Sequence, residues 1–90
     1  MTVEEALDEV RDLYERKNSD YRGSQKKSTA EEMFDEYGHE YFTMMIAQKA
    51  KRIRAVASSE CSVNFESISD SYRDIIAYAA IALTLIEKDR

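Results

Sequence analysis

Apolar positions recur at helical three-and-four spacing along most of this chain. Val3, Ala6, Leu7, Val10, Leu13 and Tyr14 make one stripe, opposed by Glu4, Glu5, Asp8, Glu9, Arg11, Asp12, Glu15 and Arg16. The pattern predicts an amphipathic helix over residues 2–18. Thr2 stands where an N-cap belongs, and Thr2-x-x-Glu5 has the form of a capping box. Gly23 and its polar neighbours predict a loop to about Ser28.

A second helix is expected over 29–57, opened by two overlapping boxes, Ser28-x-x-Glu31 and Thr29-x-x-Glu32, with a break or bend near Gly38. Met33, Phe34, Tyr37, Tyr41, Met44, Met45 and Gln48 mark one side; Phe42, Ile46, Ala50 and Ile53 mark another. Two apolar sides suit a helix packed on its own chain and on a neighbour. Ser58 to Phe65 reads as a loop, and a third helix is expected over 67–88 with Ser67 at its start. Its stripe is Ile68, Tyr72, Ile75, Ile76, Ala79, Leu83 and Ile86, and Tyr78, Ile81, Ala82 and Leu85 make it apolar nearly all round. Such a helix belongs at a bundle centre or a subunit interface. The predicted architecture is all-α: a single helical domain over 1–90, a three-helix protomer assembled into a helical-bundle oligomer through helices 2 and 3.

Composition agrees with helices. There is no proline, and only two glycines occur in ninety residues, so turn chemistry for sheets is scarce. A chain this short buries only about 60–65% of its unfolded surface, and a homo-oligomer would add burial. The lone Cys61 cannot close an internal disulfide and excludes a cysteine-based zinc site. The strongest apolar run, Ile75 to Ile86, is about twelve residues, short of a bilayer span. With no basic segment and apolar core opening the sequence, the expectation is a soluble, cytoplasmic chain without a membrane partner.

Charge narrows the choice of partner. The net charge is −5, which argues against duplex nucleic acid, whose binders show broad basic surfaces. The signs are segregated: bases alone fall at Arg22, Lys26 and Lys27, and again at Lys49, Lys51, Arg52 and Arg54. Either patch could take a small anion, although a solvated surface of alternating charge is the plainer reading.

Candidate chemistry gathers at three places. The first is the corner Glu15-Arg-Lys-Asn-Ser-Asp-Tyr-Arg-Gly, which sets cations, an amide, carboxylates and an aromatic together. The second is Lys49 and Arg52, three apart on one helical face; the third is Asp70, Asp74 and Tyr78, four apart in a line. One arrangement pairs Lys49 and Arg52 with Asp70 and Asp74, because charges among apolar neighbours need partners. The other lines a pocket. Lys17, Lys49 and Arg52 would meet phosphate oxygens, Tyr21 or Tyr78 would stack on a base, and Asn18 would read a base edge or sugar. Asp20, Asp70 and Asp74 could hold a magnesium ion, which prefers oxygen ligands. His39, among acids and tyrosines, reads as a surface or packing residue.

Lys17-Asn18-x-Asp20-Tyr21, then Lys49-x-x-Arg52, then Glu66-Ser67-x-x-Asp70-x-x-x-Asp74-x-x-x-Tyr78 resembles the nucleotide-modification-associated domain family of phages and bacteria, over about residues 13–86. The resemblance implies a small helical protein handling nucleotides in an infected bacterial host, with no assigned reaction. Arg22 stands where the family pattern has glycine, with Gly23 one place later, so the corner would turn differently.

Two wider analogies give the site alternative uses. MazG-type pyrophosphohydrolases are all-α and hold magnesium with paired carboxylates on two helices. Here Glu32-x-x-Asp35 and Glu36-x-x-x-Glu40 are followed by Glu66, Asp70 and Asp74, and the second set lacks the three-residue spacing. Small phage proteins that sequester nucleotide signals of bacterial immunity need cations and aromatics but no activated water. Lys17, Arg22, Lys26 and Lys27 with Tyr14 and Tyr21 suit that task. A nucleotide or cyclic nucleotide is therefore the expected ligand, with hydrolysis as the alternative. A third reading is a helical interaction protein, for which six tyrosines would furnish contact area.

Overall fold

The computed structural model describes residues 1–22, 28–58 and 64–88, with side chains described for 1–16, 28–58 and 67–87. Among them are four α-helices and no strand: α1 Val3–Arg22, α2 Thr29–Tyr37, α3 His39–Ala57 and α4 Asn64–Lys88. The all-α expectation holds, and the helix count is four rather than three.

The helix starts follow the predicted caps. Glu5 N–H donates to Thr2 Oγ1 at 3.1 Å and Thr2 N–H donates to Glu5 Oε1 at 3.3 Å. At α2 the structure selects Ser28 over Thr29: Glu31 N–H donates to Ser28 Oγ at 3.2 Å, and Ser28 N–H reaches back to Glu31 Oε1 at 3.5 Å. Each cap satisfies backbone donors that have no partner inside the helix.

Gly38 divides the expected second helix in two. Its φ of 67° and ψ of −147° lie where an L side chain is strained, and its N–H donates to Phe34 O at 2.7 Å to close α2. Two further boundaries move. The first helix runs on to Arg22 rather than ending near Asn18, since Lys17 to Arg22 contains neither Pro nor Gly. The last helix begins at Asn64, three residues before Ser67. Ser67 therefore sits within the first turns, where its carbonyl accepts from Ser71 Oγ at 2.9 Å.

α3 and α4 form an antiparallel hairpin, since rising positions on one meet falling positions on the other: Phe42 with Tyr78, Lys49 with Asp74, Arg52 with Ser67. Phe42, 1% exposed, is the centre of the packing. Its ring lies 6.1 Å from Phe34, 5.0 Å from Tyr41 and 6.4 Å from Tyr78, joining α2, α3 and α4. Burying such a ring stabilises the fold by about 2–3 kcal/mol. His39 packs its ring edgewise on Phe34 at 5.2 Å.

α1 is attached to α4 more lightly. Val10 is buried, while Val3, Leu7 and Tyr14 of the same stripe remain exposed. The described apolar core is small: Val10, Phe42 and Leu85. No helix among the described residues is long and apolar enough to cross a membrane.

Candidate functional site along the seam of helices α3 and α4

On α4, Ser67, Ser71, Asp74 and Tyr78 follow one another at intervals of four, three and four, which puts all four on one helical stripe. That stripe faces α3. The polar motif residues thus occupy the inner side of the hairpin, while Tyr72, Ala79 and Leu83 from the expected apolar stripe are exposed. A buried side needs its polar groups satisfied, and here they are.

At one end, Arg52 donates from Nε and Nη2 to Ser67 Oγ at 3.2 and 3.1 Å. Ser71, 3% exposed, returns its hydroxyl proton to the Ser67 carbonyl. In the middle, Lys49 Nζ meets Asp74 Oδ2 at 3.1 Å, the side chains 23% and 26% exposed. At the other end, Tyr78 sits against Tyr41 and Phe42 with ring centroids 6.4 Å away from each. Burial pushes the Tyr78 phenol above its ordinary value, and the neighbouring Tyr41, the Asp74 carboxylate and a hydrogen bond with Tyr41 push it the same way.

The expected cross-helix pairing therefore forms for Lys49 with Asp74, but Arg52 takes a neutral hydroxyl. Asp70 turns to its own helix, accepting from Arg73 Nη1 at 3.2 Å. Arg73 also donates from Nε to Glu9 Oε2 at 3.0 Å, so it bridges α4 to α1. The sequence reading overlooked Arg73, although its place three residues after Asp70 was a usable signal. It also overlooked Tyr41 as the partner of Tyr78, and assigned Ser67 to a cap. The consequence for electrostatics is a cation, Arg52, that is exposed and met, among the described residues, by a group carrying no charge.

Lys17, Asn18, Asp20 and Tyr21 lie on the last turns of α1; their side chains, like all of residues 23–27, fall outside those described. Of the three acids expected to hold a magnesium ion, Asp70 and Asp74 are each engaged by a cation, Arg73 and Lys49, and the Asp20 side chain lies outside those described. Among the described residues no three acids or histidines gather in a way that could hold a metal. Glu32, Asp35, Glu36 and Glu40 are exposed on α2 and α3.

Residues 17–86 match the family described as nucleotide modification associated domain 1. The chain belongs to that family. The matched span starts at Lys17, the first residue of the Lys-Asn-Ser-Asp-Tyr block, and ends at Ile86 near the close of α4. It therefore takes in the family's polar blocks, the seam and its apolar continuation. No curated protein and no solved structure matches the chain.

Proposed function

We propose that this member of the nucleotide modification associated domain 1 family binds a nucleotide and holds it unconverted, as a phage protein sequestering a nucleotide-derived signal would. Phosphate oxygens meet Arg52 and Lys49. Lys17, Asn18, Asp20 and Tyr21 supply the remaining phosphate, sugar and base contacts, and Tyr78 bounds the site at the aromatic end. Asp74 and Asp70 serve by positioning cations rather than by activating water.

The observation carrying this reading is Arg52. Its guanidinium is exposed, three residues from Lys49 on the same face, and fixed by the Ser67 hydroxyl with no acid among the described residues neutralising it. A planar fork held in place but uncompensated is suited to a phosphate, which accepts two parallel hydrogen bonds. Binding is favoured over pyrophosphohydrolysis because Asp70 and Asp74, two of the acids that a metal site would draw on, are engaged by Arg73 and Lys49.

One incubation tests this. The protein is mixed with a pool of nucleoside triphosphates and cyclic nucleotides plus magnesium, filtered, and the retained fraction heated before mass spectrometry of both fractions. A nucleotide depleted from the filtrate and released intact is the expected result. Monophosphate and pyrophosphate in the filtrate would establish hydrolysis instead, and an unchanged pool would overturn nucleotide binding.

A further inference from the structure

We infer that the face formed by α1 and α4, on the side of α4 away from α3, is where a second copy of this chain docks. A groove of about 230 Å³ runs between the two helices, lined by Leu7, Val10 and Tyr14 from α1 and Ile76, Ala80 and Ile81 from α4. Its polar groups are Arg11, Thr84 and the Tyr14 phenol. Arg11 is engaged by Asp8 at 2.9 Å and Thr84 by the Ile81 carbonyl at 2.7 Å. The rest of the lining is aliphatic, which suits a largely apolar occupant.

The exposed surface is large enough for a second copy to cover part of it. The chain exposes 7032 Å², whereas a compact monomer of 10.4 kDa exposes about 5,400 Å². Its radius of gyration is 14.5 Å, against about 12 Å for a compact domain of this length. The excess, roughly 1,600 Å², exceeds the share of about 800 Å² that each partner buries in a stable complex. The face also carries its own filling. Leu83, 59% exposed and three residues beyond Ala80, stands beside the groove, and Leu7 on its wall is 51% exposed. A patch holding both the hollow and the apolar knobs is self-complementary, as a two-fold dimer requires. Ala80 lets the helices approach closely.

The test is the mass of the full chain in solution from low to high micromolar concentration. The wild type should sediment at twice 10.4 kDa, and added salt should tighten the dimer by screening two chains of like net charge. Leu83→Glu and Ala80→Glu should each give a monomer with helical circular dichroism retained, because both sites are exposed in the protomer. Met44→Glu, on the exposed side of α3, should leave the dimer intact. A wild-type monomer throughout would overturn the inference and leave the face to a different partner. A dimer broken by Met44→Glu but not by the α4 substitutions would overturn it too. Should both α4 variants lose their helix content, Ala80→Cys in a Cys61→Ser background decides: a short bis-maleimide cross-links it into a dimer, or the face is not the interface.

Discussion

Lys49 Nζ and Asp74 Oδ2 stand 3.1 Å apart across the α3–α4 seam, about a quarter of each side chain exposed. Removing one member leaves the other charge among packed helices, which costs more than the pair contributes. Lys49→Met or Asp74→Leu alone should destabilise the fold by about 1–2 kcal/mol. The double variant should lie closer to wild type than the sum of the two. Urea unfolding of all four proteins completes the cycle, and strict additivity would mean the two charges are solvated independently.

Arg52 separates binding from architecture. Arg52→Gln should weaken nucleotide binding at least tenfold with little loss of stability, because it gives up a surface hydrogen bond to Ser67. Arg54→Gln, on another side of α3, should bind normally. Asp74→Asn should leave affinity unchanged or raise it, since Lys49 loses its competing carboxylate. Isothermal titration with the captured nucleotide measures all three; loss of binding in Asp74→Asn would instead indicate that this acid contacts the ligand or a metal.

The Arg73 bridge predicts a local effect. Glu9 and Asp70 both accept from one guanidinium, and all three groups are partly or largely exposed. Arg73→Ala should therefore cost under about 1 kcal/mol globally. Amides of α1 should nevertheless exchange faster with deuterium while those of α3 and α4 are unchanged, since α1 has few other ties. Salt should move the wild type towards the variant. Uniform change across the helices would show that α1 does not open separately.

Tyr78 predicts a loss of stability in base. Its folded pKa is raised above the ordinary phenol value of 10.0, so the native state holds the phenolic proton more tightly than the unfolded chain. Its contribution is complete below pH 10 and declines as pH rises through the folded value. Urea midpoints taken from neutral to strongly alkaline pH should fall, and fall less steeply in Tyr78→Phe. Ultraviolet titration of tyrosinate should show one late-ionising phenol that the variant lacks.

Much of the helical layout was legible because it depends on near neighbours. Three-and-four spacing marked the helices, and Thr2-x-x-Glu5 and Ser28-x-x-Glu31 marked two of their starts correctly. Gly38 carried the signal for a bend, though not the choice between a bend and a full break, which rests on its φ of 67°. Ser67 misled because a serine before an apolar run reads as a cap, whereas here its hydroxyl is taken by Arg52 from another helix.

The sequence by itself determined the helical class, the family and the residue types from which a phosphate site can be made, since these follow from periodicity and from blocks of residues in order. Only the tertiary structure decided which cation meets which anion. Lys49 and Arg52 share a helical face, yet one finds a carboxylate and the other a hydroxyl, because pairing depends on the register of two separate helices. The same register turned the polar residues of α4 inward and left Leu83 and Leu7 outside. Periodicity finds an apolar stripe, but only packing selects the side that a helix buries against its own chain.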